Sequence, residues 1–258
     1  MSDISHRLWH VWNRNLLVYR RFWKFGVIPS LVSPLIQLLA YWVGIGSLVG
    51  KMNFEGRTIT YGTFVAPGLV AISVMHNAFY ENSHGSFIRM RTQRIYEAIL
   101  ATPVSAGDLV AGEIAWGTTK AVIASTMVSA VLAAFGVLDW TGLLWVPAVA
   151  ALGGLGFGAM GMWFAGLVPT FELFSLPVLL LLTPMYVFSG TFFPISVLPQ
   201  WGRAAALALP LTHVSELLRA AFHGRMGTAH LVNFGYLAAF AGIFLFLALT
   251  AMRKRLVR

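Results

Sequence analysis

Six long apolar stretches constrain this chain more than any other feature of its sequence. A helix needs roughly 20 mostly apolar residues to cross the hydrocarbon core of a bilayer. The stretches that meet or approach this length are predicted at about 27–50, 61–80, 114–136, 143–168, 174–190 and 231–252. Only 10% of the 258 residues are charged, which is too few to cover the surface of a soluble domain of this length. We therefore predict an all-α integral membrane protein with six transmembrane helices.

The distribution of lysine and arginine predicts how these helices are oriented. Twelve of the 18 basic residues lie in the N-terminal segment, the 81–113 loop and the C-terminal tail, whereas the connections on the opposite side carry five. Basic segments are retained in the cytoplasm, so we expect both termini to be cytoplasmic. The net charge of +9 reflects this bias, and we expect no nucleic-acid partner.

The residues before the first span are predicted to form a separate element at 1–26, ahead of a transmembrane domain at 27–258. Apolar residues recur there every three or four positions and share one helical face; they are Leu8, Trp12, Leu16, Tyr19 and Trp23. Tryptophans among basic residues are typical of a helix that lies in the plane of the membrane interface. We predict an N-terminal in-plane amphipathic helix.

Two connections are too long to be simple loops. On the cytoplasmic side, residues from Ile88 to Ile99 have helical spacing, and Pro103 ends the pattern. On the opposite side, the segment 191–230 contains proline-interrupted, helix-like pieces that are each too short to cross the bilayer. We predict an outer re-entrant helical hairpin between spans 5 and 6, because a helix break at membrane depth must be buried in protein or line a wet cavity.

The sequence predicts no catalytic and no metal site. There is no cysteine, and the nearest match to a phosphate-binding loop, from Gly112 to Gly117, has Thr118 in place of the required lysine. The nine acidic residues fall at the ends of the predicted spans or in loops, which disfavours a proton or sodium relay. Transport by this chain would therefore take its energy from elsewhere.

Lys120 is the one full charge well inside a predicted span. An ion pair with Glu113, two turns away on the same helical face, would give it a structural role, and lining a pathway is the alternative. Small residues in span 4, among them Gly154 and Gly158, let helices approach closely. Packing within one subunit is favoured there over a dimer contact.

Several segments resemble the ABC-2 type permeases of ATP-driven exporters, and in particular their NodJ-like branch of nodulation lipo-oligosaccharide exporters. The segment RTQRIYEAILATP at 91–103 resembles their cytoplasmic loop, and 112–121 resembles the start of their third span. Segments 189–194 and 209–219 are similar to their outer hairpin. The resemblance implies a half-transporter without a cofactor of its own, which forms a homodimer in the bacterial inner membrane. Two copies of a separate ATPase subunit would carry ATP and Mg²⁺.

The resemblance also implies three groups of site residues. The helix that couples to the ATPase would span 89–100, with a second contact near 169–172; these positions include Arg89, Arg91, Arg94, Ile95, Glu97, Leu100 and Glu172. A translocation path along spans 1, 2 and 5 would offer Tyr41, Trp42, Phe64, Phe79, Tyr186 and Phe188, and Lys120 of span 3 would be a further lining residue. The aromatic members are equally well explained as anchors at the membrane interface. The outer re-entrant gate would contain Phe192, Phe193, Pro194, Pro210, His213, Glu216 and Arg219.

The expected function is export of a lipid-linked saccharide, or a similar amphiphile, out of the cytoplasm or the inner leaflet of the lipid membrane. Efflux of drugs or other hydrophobic compounds is the alternative within the same superfamily. An intramembrane enzyme or a passive channel, each working without an ATPase, is less favoured. Ser189 and His213 are the pair that an intramembrane protease would use, and no other sequence feature supports it.

Overall fold

A computed structural model describes residues 5–54 and 56–256. Residues 1–4 of the predicted in-plane helix and Arg258 of the basic tail lie outside that part of the chain. Two short strands, β1 (Lys51–Phe54) and β2 (Arg57–Thr60), form an antiparallel hairpin that the sequence did not predict. The helices are α1 (Leu8–Leu39), α2 (Tyr61–Tyr80), α3 (Ile95–Leu100), α4 (Ala106–Ala134), α5 (Val146–Leu167), α6 (Glu172–Phe188), α7 (Gln200–Leu207), α8 (Pro210–Phe222) and α9 (Leu231–Leu256).

Among the described residues, five helical segments are long and apolar enough to cross a membrane. They are Gly26–Val49, Tyr61–Thr92, Ala106–Ala134, Val146–Leu167 and Thr228–Leu256. The predicted all-α membrane architecture is confirmed at this level. The remaining predicted span, 174–190, falls on α6, which is apolar but shorter.

Helix α1 joins the predicted in-plane segment to the first span. Phe22 interrupts it with non-helical φ and ψ of −119° and 23°, and a wider π-helical turn at Ala40–Ile45 continues it toward Val49. The part before this kink packs against α4 through Val11 and Asn15, both buried. Trp23, assigned to the apolar face from its spacing, is exposed. The orientation of this segment, parallel to the membrane plane, remains a prediction.

Helix α2 extends further than its predicted end. Two π-helical turns, Glu81–Gly85 and Ile88–Thr92, carry it on, and Arg94 then ends it with a left-handed φ of 51°. The predicted boundaries of the helix over 88–99 are therefore wrong, because its first half belongs to this extension. The polar side chains of the extension suggested a loop, yet several of them are buried within the bundle.

Helix α4 begins at Ala106, well before the predicted start at 114. Ser105 caps it, because its hydroxyl accepts a hydrogen bond from the Asp108 N–H while the Asp108 carboxylate accepts one from the Ser105 N–H. The longer helices also correct the placement of two acidic residues. Glu81 and Glu113 lie inside the long helical segments and are largely or fully buried, not in loops.

Helix α5 lies at the centre of the bundle, with α9, α4 and α2 packed around it. Its glycines allow this close approach. A Cβ on Gly161 would lie 2.5 Å from the backbone oxygen of Phe79, and one on Gly154 would lie 3.4 Å from Cα of Thr118. The small-residue face of span 4 therefore packs within the subunit, as its spacing favoured.

Both ends of the described chain lie at the same end of the bundle, which we call the termini end. The backbone N–H of Ser5 donates to the Asp108 carboxylate at 2.5 Å. At the other terminus, the Arg255 guanidinium lies 5.4 Å from the ring centroid of Phe87. The strands and α8 meet at the opposite end, called the hairpin end, where Arg219 lies 5.6 Å from the ring of Phe54.

Candidate coupling site

An ionic cluster lies at the termini end, where α1, the extension of α2 and α4 meet. We call these five residues the charge cluster; they are Arg14, Glu81, Arg89, Glu113 and Lys120. Arg14 comes from the helix before the kink, Glu81 and Arg89 come from the two π-helical turns, and Glu113 and Lys120 face them from α4. Each of the three helical segments therefore supplies at least one charge.

Two arginine nitrogens hold the charge cluster together. Arg89 donates from Nη1 to Glu81 Oε1 and lies with Nη2 beside Glu113 Oε2, both at 2.7 Å. Lys120 Nζ donates to the second oxygen of Glu81 at 2.7 Å. Arg14 lies 3.6 Å from Glu113, and Asn15 donates to the same carboxylate at 3.1 Å. These ion pairs and hydrogen bonds therefore link all three helical segments to one another.

Three charged side chains of this cluster are largely or fully buried, so each of them needs an oppositely charged partner. The Glu113 side chain has no exposed surface, while those of Glu81 and Arg89 are 12% and 15% exposed. A buried charge is tolerated only when it is paired, because removal from water costs several kcal/mol per ion. Three cations face two carboxylates, so the charge cluster carries one net positive charge.

One side chain of α3 is buried beside the charge cluster. Tyr96 is only 1% exposed, and its pKa is raised, first by burial and then by the Glu113 carboxylate. The phenol therefore remains neutral at ordinary pH.

The other predicted coupling residues divide into two groups. Ile95 and Leu100 are half-buried, whereas the exposed residues are Arg91, Arg94, Glu97 and Glu172. Arg89, predicted for docking, is instead largely buried in the charge cluster. Lys120 forms its ion pair with Glu81 of the α2 extension. The sequence suggested Glu113, which lies on the same helix as Lys120.

Three of the predicted path and gate residues come together. The ring of Phe192 lies 4.8 Å from Tyr41 and 4.9 Å from Tyr186, and the two tyrosine hydroxyls are 3.4 Å apart. His76 of α2 lies with its ring parallel to that of Tyr186, and the two ring centroids are 6.3 Å apart. Tyr80 lies one turn further along, 5.5 Å from His76. These five residues form a line of rings that we call the aromatic line.

The remaining path residues do not join the aromatic line. Phe64 and Phe79 are fully buried in the core of the subunit, so they face its own side chains. Trp42 and Phe188 are exposed. The two buried phenylalanines lie on α2, which other helices surround, and the sequence pattern of an all-apolar helix does not distinguish its faces.

The predicted gate residues of α8 are tied to neighbouring elements. His213 shares a hydrogen bond with Asn233 at 2.8 Å, and Glu216 accepts one from the same residue at 3.3 Å. Arg219 donates to the carbonyl of Gly190 at 2.9 Å. Pro210 is buried at the start of α8, and the half-buried positions of the preceding turn are Phe193 and Pro194.

The residue pair considered for an intramembrane protease does not form. The Ser189 hydroxyl shares a hydrogen bond with Thr191 at 3.0 Å. The His213 ring is engaged by Asn233 and by the carbonyl of Leu207, at 2.9 Å. Neither side chain activates the other.

Sequence reasoning missed Arg14, Asn15, Glu81 and Tyr96 as parts of this site. A signal was present for Glu81, since an acidic residue directly follows an apolar span and intramembrane charges are usually functional or paired. No sequence spacing relates Asn15 to Glu113, which are 98 positions apart.

Comparison with known proteins identifies the family. The family model described as "ABC-2 type transporter" matches residues 6–223. The chain belongs to the ABC-2 type transporter family. It is 35% identical over 247 residues to "Nodulation protein J" of Rhizobium meliloti (strain 1021), covering 96% of this chain and 93% of that protein. It is 26% identical over 230 residues to "Inner membrane transport permease YadH" of Escherichia coli (strain K12), covering 89% and 88%.

The chain is also 36% identical over 248 residues to "Nodulation protein J" of Rhizobium leguminosarum bv. trifolii, covering 96% of this chain and 93% of that protein. As an ABC-2 transporter, the chain is the membrane subunit of an ABC exporter and a transport permease, as the sequence predicted. The family implies a partnering ATP-binding subunit.

Proposed function

We propose that this ABC-2 permease is one half of a homodimeric exporter that moves an amphiphile with a saccharide head outward from the inner leaflet. Two copies of a separate ATPase subunit bind ATP and Mg²⁺, and they contact the permease at its termini end. The charge cluster carries this proposal, because its buried ion pairs join α1, the extension of α2 and α4, and α3 with its exposed coupling residues packs against the last two.

A six-span layout is supported by the position of the termini. Both ends of the described chain lie at the termini end, and an even number of crossings is required to return a chain to its starting side. Helix α6 is the candidate for the sixth crossing. At 1.5 Å per residue, its length from Glu172 to Phe188 is about 26 Å, slightly less than the hydrocarbon core of roughly 30 Å.

The same layout keeps the basic residues on one side. With five crossings, the N-terminal arginines and the tail with Arg253, Lys254 and Arg255 would lie on opposite sides, against the usual retention of positive charge in the cytoplasm. We infer that both termini are cytoplasmic in the bacterial inner membrane. The α7–α8 pair then lies on the outer side as the re-entrant hairpin.

Coupling to the ATPase is proposed to run through α3. Exposed Arg94 and Glu97 contact the partner, and Tyr96 on the opposite face transmits its displacement to Glu113. The exposed turn before α6, with Glu172, is the second contact. The predicted docking helix is thereby shortened to Ile95–Leu100, and Arg89 acts behind it as a positioning residue.

The proposed path follows the aromatic line. Aromatic rings combine apolar faces with hydroxyl groups, as in Tyr41 and Tyr186, and so suit a molecule that is part saccharide and part acyl chain. The exposed apolar surface of α1 and α6, which includes Trp42 and Phe188, faces lipid or the second subunit. The same rings attract organic cations, so efflux of hydrophobic cations is the second candidate.

The test is reconstitution of the permease with its copurified ATPase in proteoliposomes. The double charge reversal Arg94→Glu/Glu97→Lys is expected to uncouple ATP hydrolysis from export while leaving membrane insertion unchanged. A matched control is Arg203→Glu on exposed α7 at the hairpin end, which should leave coupling intact. Normal coupling in the double variant would remove α3 from the ATPase interface.

Substrate class is tested in the same vesicles. A fluorescent lipo-oligosaccharide and a lipophilic cationic dye are offered separately, and export of each is followed by its accessibility to an external quencher. Export of the first alone supports the saccharide amphiphile, and export of the dye alone supports the second candidate. Export of either one without ATPase or ATP would refute the proposal.

A further inference from the structure

A cavity of about 710 Å³ opens beside the charge cluster, at the kink of α1. Arg14, Glu81, Arg89 and Lys120 contribute to its wall. Because Glu113 lies fully buried behind them and does not line the cavity, three cations and one carboxylate face the opening. The cavity is therefore a positively charged surface.

The other wall of the cavity is apolar and aromatic. Tyr19 and Phe22 come from α1, and Trp116 comes from α4. Phe22 is 54% exposed, and Val18, one turn before it, is 57% exposed. A site for a small soluble anion needs no such wall, whereas a site for a lipid headgroup must also contact the start of an acyl chain.

A second cavity extends the first into the membrane-spanning part of the bundle. It has a volume of about 380 Å³ and shares Glu81, Gly85 and Lys120 with the first cavity. Its further wall contains Ser30 of α1 and Asn77 of α2, whose side chains are hydrogen-bonded at 2.9 Å. The first apolar span begins at Gly26, so the charged wall lies at the level where phospholipid phosphates are found.

We propose that this cavity binds the phosphate of an anionic phospholipid from the inner leaflet, with Lys120 and Arg14 as its cationic contacts. The phosphate neutralises the net positive charge of the charge cluster, and the aromatic wall holds the glycerol and the first methylenes. Lys120 keeps its ion pair with Glu81, and 22% of its side chain remains exposed for the ligand. Arg14, 31% exposed, lies across the cavity on α1. Binding at this site requires neither ATP nor transport, so it is tested apart from the proposed export function, although its second cavity is also lined by His76 and Tyr80 of the aromatic line.

The test is a lipid titration of the purified full-length protein in detergent, with bound lipids counted by native mass spectrometry. Phosphatidylglycerol is expected to bind more tightly than phosphatidylcholine of the same chain length. Lys120→Met should weaken phosphatidylglycerol binding about fivefold, the contribution of one basic residue near an anionic surface. Lys120→Arg keeps the charge and should retain binding.

Lys24→Met is the matched control, because Lys24 is an exposed lysine near the same kink that does not line the cavity. It should leave binding unchanged, and a loss equal to that of Lys120→Met would overturn the site in favour of general surface attraction. Unchanged binding in Lys120→Met would also overturn it. Should that variant fail to accumulate, Arg14→Gln replaces it, since Glu113 keeps Arg89 and Asn15.

A competition arm identifies the source of the phosphate. Addition of sn-glycerol 3-phosphate at millimolar concentration is expected to leave bound phosphatidylglycerol in place, which supports a lipid site. Displacement of the lipid by this soluble compound would overturn the assignment to the inner leaflet.

Discussion

Replacing Glu113 by glutamine is the sharpest test of the charge cluster. The change removes one of two carboxylates that face three cations, so the net charge of the buried group rises from one to two. Arg89 keeps Glu81 as its remaining ionic partner. Breaking a buried ion pair by removing one partner costs about 3–5 kcal/mol. We expect Glu113→Gln to lower the free energy of unfolding by that amount.

The assay is thermal unfolding of the purified protein in detergent, followed by tryptophan fluorescence at one fixed scan rate. The expected loss lowers the midpoint by roughly 6–20 °C, at 2–4 °C per kcal/mol. Glu216→Gln serves as the matched control, because Glu216 is half-buried and accepts one 3.3 Å hydrogen bond from Asn233. Its expected cost is about 1 kcal/mol.

A compensating variant separates charge from packing. Arg14→Gln/Glu113→Gln removes one cation and one carboxylate, which restores the original net charge of the cluster. It should recover part of the lost midpoint. Equal midpoints for Glu113→Gln and Glu216→Gln would refute the reasoning, since a fully buried charge would then have behaved like a half-buried one.

Three further outcomes are expected. Gly161→Ala should destabilise the bundle, because the added Cβ would meet the backbone of Phe79. The control Gly235→Ala has open space around it and should be neutral or stabilising by up to about 1 kcal/mol. Equal unfolding midpoints for the two variants would contradict this packing. Pro194→Ala/Pro210→Ala should impair export more than assembly, measured as transport per copy of assembled permease, and normal export would count against the re-entrant hairpin. Burial raises the pKa of Tyr96 above its ordinary 10.0, so the unfolded state loses its proton first and stability falls as the pH rises above about 10. Tyr96→Phe should therefore show a shallower alkaline decline in thermal midpoint, and an identical decline would contradict the raised pKa of this buried phenol.

The helix bounds show which features of the fold could be predicted from sequence patterns and which could not. Apolar length predicted the span at 231–252 and the start of the span at 61 within a few residues, because lipid demands a long apolar helix whatever its neighbours are. The same reasoning misplaced the start of α4 and assigned 81–92 to a loop. Polar side chains such as Asn82 normally indicate exposure, but a neighbouring helix buries this one, and a single sequence does not show which helix that is.

The aromatic line shows the same limit. Tyr41, Tyr186 and Phe192 were each predicted for the path or the gate, but their proximity was not. Tyr41 and Tyr186 are 145 positions apart in sequence. His76 carried no distinguishing motif, and its place beside Tyr186 follows only from the packing of α2 and α6.

The sequence by itself determined that this chain is a membrane protein and that its segments resemble an exporter permease. These properties depend on the composition of continuous stretches, so they are readable along the chain. Only the tertiary structure decided which charge pairs with which. Lys120 reaches Glu81, 39 positions away, and not Glu113 on its own helix, because a buried ion takes the partner that helix packing brings within hydrogen-bonding distance.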